Sequence, residues 1–258
     1  MSQIRPALIL MAFALVTLPL MPLQQLFVWF WPSMAQTFPM HYHRLVLRIL
    51  GVRLKIVGQP PSHGPALIAS NHASWLDIPV LSALTPLSFI AKREVDGWPF
   101  FGSLARLQRT VFVHRERRHA TGGSRNEMQE RLKAGDTLVL FPEGTSSDGQ
   151  WVLPFKSAFF GAAEFPGVSV QPVTIAYAGH RNLPMNRRLR PSYAWYGAMD
   201  LPPHVWAALA AGPIEATVIC HEPLTLGAET NRKALARHAE NLVRQGLTHA
   251  LHHPGKVG

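Results

Sequence analysis

A histidine and an aspartate five residues apart are the most informative pair in this sequence. His72 and Asp77 lie in the segment NHASWLD at 71–77, directly after the apolar run 66–70. Residues five apart face different sides of a continuous helix, so the pair requires a turn between a strand and a helix. A carboxylate beside an imidazole fixes its tautomer and stabilises the imidazolium formed when it takes a proton. The segment therefore predicts His72 as a general base that Asp77 orients.

A second polar segment, FPEGTSSDG at 141–149, follows the apolar run 137–141. Pro142 ends the run, and Gly144 lets the backbone turn tightly. Such a turn presents main-chain N–H groups and hydroxyls to an anion. The alternative is a polar surface turn without a ligand.

Two basic residues are predicted at the same edge of the sheet as His72. The segment VFVHRERR at 111–118 carries Arg115 directly after an apolar run, and Lys92 follows the run 87–91. The guanidinium of an arginine can hold a phosphate through two parallel hydrogen bonds. These positions predict a site for an anionic group.

Alternating strands and helices must position these residues. Short apolar runs predict strands at 66–70, 87–91, 110–114, 137–141, 168–175, 192–199 and 215–221. Helical patterns lie between and after them, at 78–84, 99–107, 122–133, 155–165 and 228–251. This order predicts an α/β fold, a mixed sheet flanked by helices with crossover connections.

The N-terminal segment is apolar enough to enter a membrane. No charged residue occurs from Pro6 to Met40, a length of about 50 Å if helical. Pro19 and Pro22 interrupt the pattern, which leaves either one tilted span or two short helices forming a hairpin in one leaflet. A cleaved signal peptide is the third interpretation. An amphipathic helix follows at 40–52, and we expect a membrane-anchoring region at 1–52 and an α/β domain at 53–258.

The charge distribution bears on the partner and the orientation. The net charge is +10, and the first 76 residues contain five basic and no acidic residues, a charge of +5. Basic residues flanking an apolar segment indicate the cytoplasmic side, so we expect a membrane protein with its catalytic domain on the cytoplasmic face. A nucleic-acid-binding protein is the rival class. The apolar segment and the lack of interleaved basic and aromatic residues argue against nucleic acid as a partner.

The sequence lacks the residues that several other kinds of active or metal site require. A single cysteine, Cys220, excludes an internal disulfide and a cysteine-based zinc site. The sequence has no Gly-x-Ser-x-Gly, Walker A or His-Glu-x-x-His motif, which disfavours a serine hydrolase. We therefore expect no metal site.

Four ordered blocks together resemble the glycerolipid acyltransferases of the lysophosphatidic acid acyltransferase type. The resemblance covers about residues 58–173. Its blocks are NHASWLD at 71–77, FVHR at 112–115, FPEGT at 141–145 and VQPV at 170–173.

The resemblance implies an enzyme that moves a fatty acyl group to the free hydroxyl of 1-acylglycerol 3-phosphate, forming phosphatidic acid. The donor would be acyl-CoA or acyl carrier protein, and neither a cofactor nor an acyl-enzyme is needed. His72 would be the base and Asp77 its partner. The residues implied to position the lysolipid acceptor are Lys92, Arg115, Glu143, Gly144, Thr145 and Ser146. A non-catalytic lipid-binding protein on the same scaffold is disfavoured because the His72–Asp77 pair is intact.

Two positions depart from the family pattern. Arg109 stands where the family usually has glycine, and Ser146 stands where it often has arginine. The second departure weakens the case for a phosphate headgroup and opens an alternative acceptor, another lysolipid such as lyso-ornithine lipid. If the headgroup binds elsewhere, the alternative basic cluster is Arg181, Arg187, Arg188 and Arg190.

Overall fold

A mixed β-sheet forms the centre of the computed structural model, which describes residues 3–61, 64–113, 121–165, 167–225 and 231–253, with only the main chain at 121–125. Its strands are β1 Val52–Val57, β2 Ala66–Ser70, β3 Ser88–Lys92, β4 Val111–Val113, β5 Thr137–Leu140, β6 Ser169–His180, β7 Leu183–Pro184, β8 Ile214–Cys220 and β9 Leu224–Thr225. The helices are α1 Ile4–Phe30, α2 Pro32–Leu50, α3 Asp77–Ser82, α4 Phe101–Leu107, α5 Thr121–Lys133, α6 Leu201–Ala211 and α7 Arg232–His252. Short 3-10 helices cover Arg93–Gly97, Ser157–Glu164 and Arg190–Ser192. The predicted α/β class with a mixed sheet is confirmed.

The strand order brings the predicted site to one edge of the sheet. The order is β1-β8-β6-β2-β5-β3-β4, and β7 and β9 pair with β6. Strands β6, β2, β5, β3 and β4 run parallel to one another, whereas β8 is antiparallel to β6. The carboxyl ends of parallel strands meet at a common edge, where α/β proteins bind their ligands. The segments after β2, β3 and β5 therefore lie at that edge.

Helices cover both faces of the sheet. Strand β2 is buried throughout, with Ile68 in the core beneath α2, α3 and α6 and Leu67 in the core beneath α7. This is why its sequence is a continuous apolar run rather than an alternating one. Helix α7 packs very closely at Gly246, where an added Cβ would lie 2.5 Å from Thr174 Oγ1.

The N-terminal segment forms two helices, but the break is not at the expected prolines. Pro19 and Pro22 lie inside α1, and the chain turns at Trp31 instead. Pro32 explains this position, because proline disfavours helical backbone in the residue before it and suits the first residue of a helix. One helix among the described residues, α1, is long and apolar enough to cross a membrane.

Helix α2 does not separate cleanly from the α/β body. Its residues Val46, Leu47 and Leu50 are buried in the same core as β2 and β6. Only Gly51, with a φ of 75°, lies between α2 and β1. The division at residue 52 thus matches a change of element, and two separate domains remain a prediction.

Two predicted elements differ from the structure, and two observed elements were not predicted. The predicted strand at 192–199 is wrong: Tyr193 and Ala194 are buried, but the main chain of Trp195 donates to Ala73 O at 2.8 Å instead of joining the sheet. The predicted helix at 155–165 is a 3-10 helix, and β1 and α6 had not been predicted.

Candidate active site

The turn that carries His72 is fixed by the residue before it. The Asn71 side chain donates to Ile175 O at 2.9 Å and accepts from Ile175 N at 2.8 Å. It thereby continues the pairing of β2 with β6 one residue beyond the strand. The main chain is then free to turn, and α3 begins at Asp77.

The predicted pair of His72 and Asp77 forms as expected. His72 Nδ1 lies 2.7 Å from Asp77 Oδ2, and the Asp77 side chain is fully buried. The same carboxylate oxygen accepts from the main-chain N–H groups of Ala73, at 2.7 Å, and Ser74, at 2.9 Å. Hydrogen bonds to a carboxylate favour its charged form, which in turn places the proton on Nδ1 of His72.

The second oxygen of Asp77 has a partner that sequence reasoning missed. Tyr177 Oη on β6 donates to Asp77 Oδ1 at 2.6 Å, and Tyr177 is 2% exposed. Burial, followed by the charge of Asp77, raises the pKa of Tyr177 well above its ordinary value. The phenol therefore keeps its proton and acts as a donor. A lone tyrosine in an apolar strand was the only signal in the sequence.

The imidazole of His72 is also held from one side. Its ring stacks on Phe141 with centroids 4.1 Å apart and an angle of 18° between the planes, and Phe141 stacks on Phe89. The His72 side chain is 21% exposed, and Nε2 has no partner among the described residues. The ring thus leaves Nε2 as the nitrogen available to a substrate.

Glu143 joins the turn after β2 to the turn after β5. Its Oε1 accepts from His72 N at 2.9 Å, and its Oε2 accepts from Leu153 N at 3.1 Å. The return contact is Ser147 N donating to His72 O at 2.8 Å. Burial raises the pKa of Glu143 to about 8, although the two main-chain hydrogen bonds act to lower it. We expected Glu143 to contact the acceptor, whereas both of its oxygens bind main-chain N–H groups.

The other predicted acceptor residues lie around this edge. Gly144 has a φ of 76°, Thr145 is exposed and Ser146 is partly buried. Lys92 is exposed at the end of β3, where it pairs with Val113 of β4. Arg115 falls outside the described residues, so its position at this edge stays a prediction. No group of three or more metal-ligating side chains occurs in the part of the chain that the structure describes.

Arg109, at the position where the family usually has glycine, adopts the backbone expected of glycine. Its φ is 58°, in the left-handed region. Its guanidinium donates to Asp136 Oδ2 at 3.2 Å, and Arg131 binds the same carboxylate. This network lies beside the first residues of β5 and β3, away from His72, and gives the residue a structural role.

Comparisons with known proteins show the family of this chain. A family model described as Acyltransferase matches residues 53–176. The lyso-ornithine lipid O-acyltransferase of Brucella abortus (strain 2308) is 47% identical over 97% of this chain and 96% of its own length. That of Rhizobium meliloti (strain 1021) is 40% identical over 97% of this chain and 88% of its own length. The 1-acyl-sn-glycerol-3-phosphate acyltransferase of Neisseria meningitidis serogroup B is 38% identical over 63% of this chain and 62% of its own length.

A solved structure shows the same fold. The 1-acyl-sn-glycerophosphate (LPA) acyltransferase PlsC from Thermotoga maritima superposes with a TM-score of 0.69 at 22% identity, covering 96% of this chain and 97% of the other.

The chain belongs to the acyltransferase family, in the group of glycerolipid acyltransferases of the lysophosphatidic acid acyltransferase type. It is an acyltransferase that acts on lysolipids.

Proposed function

We propose that this enzyme transfers a fatty acyl group to the hydroxyl of lyso-ornithine lipid, on the cytoplasmic face of a membrane. The observation that carries this choice is its 47% identity, over nearly its whole length, to a lyso-ornithine lipid O-acyltransferase. Ser146 supports it, because a neutral side chain replaces the arginine that the family often has there. The acceptor preferred from the sequence, 1-acylglycerol 3-phosphate, is the second candidate, favoured by the relative from Neisseria meningitidis.

The chemistry follows from the His72–Asp77 pair. His72 Nε2 takes the proton of the acceptor hydroxyl as its oxygen attacks the carbonyl carbon of the acyl thioester. Asp77 stabilises the resulting imidazolium. The tetrahedral intermediate collapses, the carbon–sulfur bond breaks, and the leaving thiolate takes the proton from His72. The ester forms directly, and no acyl-enzyme is required.

The turn after β5 is the proposed oxyanion and acceptor site. Its main chain is held beside His72 by the Ser147–His72 hydrogen bond. The main-chain N–H groups of Thr145 and Ser146 have no hydrogen-bond partner among the described residues, so they can donate to a developing oxyanion. Lys92 and Arg115 complete the acceptor site that we propose. The donor is acyl-CoA or acyl carrier protein.

The surface of α1 supports insertion into one leaflet rather than a full crossing. Its exposed apolar side chains recur every three or four residues and form one stripe: Ile4, Leu8, Met11, Leu15 and Leu18, with Leu26 and Trp29 beyond. The opposite face buries Pro6, Thr17 and Gln24, and Gln24 donates to Leu107 O at 2.9 Å. Arg5, at the side of the stripe, donates to Leu209 O. These contacts lie about 29 Å apart along the helix, so the α/β body runs beside α1.

A helix with the body along one face cannot cross a bilayer without drawing that body into the hydrocarbon. We therefore propose that α1 lies in the membrane surface with its stripe among the acyl chains. The basic residues after the apolar segment support the cytoplasmic orientation.

An acceptor panel tests the function. The full-length protein, purified in detergent, would be incubated with a labelled acyl-CoA or acyl carrier protein and with lyso-ornithine lipid, 1-acylglycerol 3-phosphate or lysophosphatidylethanolamine. We expect a kcat/KM for lyso-ornithine lipid at least tenfold above the others, which corresponds to an activation free energy lower by about 1.4 kcal/mol. His72→Ala should lower the rate at least about 10²-fold. A higher kcat/KM for 1-acylglycerol 3-phosphate would reverse the choice of acceptor.

A further inference from the structure

A buried arginine beside the catalytic segment has almost no partners. Arg190 is 6% exposed, and its guanidinium makes one hydrogen bond, from Nη2 to Met185 O at 3.3 Å. Its Nε is buried without a partner, and it forms no ion pair with any carboxylate in the described parts of the chain. A guanidinium carries five N–H donors, so most of its hydrogen-bonding capacity is unused. Burying a charge without a hydrogen-bonded ionic partner is costly, so the free donors of this guanidinium are suited to binding an anion.

The position of Arg190 connects it to the reaction. A Cβ built on Gly149 would lie 3.8 Å from Arg190 Cγ and 3.5 Å from Ala73 Cβ. Ala73 directly follows His72, and its carbonyl accepts from Trp195 N, five residues after Arg190. The arginine side chain therefore lies beside Gly149 at the end of the 144–149 turn, close to the residue that follows His72.

A carboxylate of opposite charge accompanies Arg190. Asp148, which is partly buried, accepts from Gln150 N and from Gln150 Nε2, each at 2.9 Å, through different oxygens. Each oxygen keeps a free acceptor position. Asp148 directly precedes Gly149, where a built Cβ would lie 3.8 Å from Arg190 Cγ, so the two charged groups are close together. Burial lowers the pKa of Arg190, the charge of Asp148 opposes that shift, and the charge of Arg187 adds to it.

We propose that Arg190 binds the carboxylate of the acceptor headgroup and that Asp148 favours its ammonium group, an inference that rests on the proposed function. An ornithine whose α-amino group is acylated keeps one carboxylate and one side-chain ammonium. The planar guanidinium matches a carboxylate through two parallel hydrogen bonds. A phosphate monoester would meet the same arginine but also the negative charge of Asp148. The pair thus selects a zwitterionic headgroup over a dianionic one.

The test compares Arg190→Met with Arg237→Met in the full-length enzyme. Both variants remove one positive charge, but Arg237 is exposed on α7 and makes no hydrogen bond with the described residues. Initial rates would be measured in mixed micelles with lyso-ornithine lipid and with 1-acylglycerol 3-phosphate. We expect Arg190→Met to raise the KM for lyso-ornithine lipid by about 10- to 100-fold with kcat within threefold, since the contact is remote from the reacting hydroxyl. Arg237→Met should change KM less than twofold. Asp148→Asn should lower the ratio of kcat/KM for lyso-ornithine lipid to kcat/KM for 1-acylglycerol 3-phosphate.

Arg190→Lys is a second variant, in case Arg190→Met fails to fold. It keeps the positive charge but cannot form the two parallel hydrogen bonds of a guanidinium. We expect it to remain folded with a KM raised about threefold to tenfold. An unchanged KM in Arg190→Lys, or equal effects of Arg190→Met and Arg237→Met, would overturn the inference. If the wild-type enzyme still acylates lyso-ornithine lipid, the proposed function stands. A KM effect confined to the phosphate acceptor would also overturn it. A wild-type enzyme inactive on lyso-ornithine lipid would instead refute the proposed function.

Discussion

The phenol of Tyr177 and the carboxylate of Asp77 share a buried 2.6 Å hydrogen bond although they lie 100 residues apart in the chain. Tyr177 contacts no reacting atom in this arrangement. We expect it to act on the reaction through Asp77, as a positioning residue for the proposed base His72.

Tyr177→Phe should therefore affect the pH profile as well as the rate. Without the phenol, the Asp77 carboxylate loses a donor that stabilises its charge, so the His72–Asp77 pair binds its proton more tightly. We expect kcat to fall about tenfold, or about 1.4 kcal/mol of barrier, with an unchanged KM for the lysolipid. The acid limb of the kcat/KM profile should move to higher pH.

Tyr193→Phe is the matched control, because Tyr193 is equally buried and donates to Gly212 O at 3.3 Å. It should lower stability without moving the acid limb. If the acid limb of the kcat/KM profile lies at the same pH in Tyr177→Phe and in the wild type, Tyr177 contributes only to the stability of the fold.

Loss of the base itself should have the largest effect. His72→Ala should reduce kcat by about 10²- to 10⁴-fold, since that is the contribution of general-base catalysis. Asp77→Asn should also be severely impaired, because the buried amide cannot stabilise an imidazolium. Single-turnover acylation rates would measure both, with the exposed His238→Ala as the control. Retention of more than about a tenth of the wild-type rate in His72→Ala would contradict the mechanism.

The buried Glu143 should make the stability of the protein depend on pH. Its pKa is about 8 in the folded state, against 4.5 ordinarily. Between these values the unfolded chain releases the proton that the folded protein keeps, so this group's contribution to stability is present below pH 4.5 and is lost as the pH rises toward 8.

Glu143→Gln should remove that slope. Urea unfolding at several pH values from 5 to 8 would measure the free energy of unfolding of both proteins. We expect the difference between Glu143→Gln and wild type to shift in favour of the variant as the pH rises. The exposed Glu222→Gln should show a constant difference. A constant difference for Glu143→Gln as well would mean that Glu143 is ionised in the folded protein.

The apolar stripe of α1 predicts how the protein binds membranes. Leu15 is 68% exposed in the middle of the stripe, and Leu15→Glu would place a charge among the acyl chains. We expect Leu15→Glu to reduce flotation with vesicles. Ile56→Glu, at a 44% exposed position on the strand β1, should not. Equal flotation of both variants would argue against the proposed orientation of α1.

Local patterns in the sequence predicted the core of the site well. The His72–Asp77 pair lies within one turn, so the strand end and the helix start suffice to bring its members together. The buried strand β2 was predicted with its observed bounds because a run of five apolar and small residues admits few alternatives.

Contacts between distant segments could not be predicted in this way. Nothing in the neighbourhood of Tyr177 indicates that its phenol reaches Asp77, and the role of Glu143 depends on main-chain N–H groups at His72 and Leu153. The false strand at 192–199 has the same origin. Two neighbouring residues of this segment, Tyr193 and Ala194, are buried, but the main chain of Trp195 pairs with Ala73 O instead of with a strand. Gly197 then adopts a φ of 64°, which is unsuited to a strand.

The stacking of His72 on Phe141 has a consequence for the temperature dependence of the reaction. The imidazole is already fixed in the free enzyme, by Asp77 at one nitrogen and by an aromatic ring at one face. The His72 side chain therefore loses its rotational freedom when the protein folds. Substrate binding does not have to order it again. Replacing Phe141 with a smaller residue would transfer that loss to the catalytic step, where it would be measured as a more negative entropy of activation.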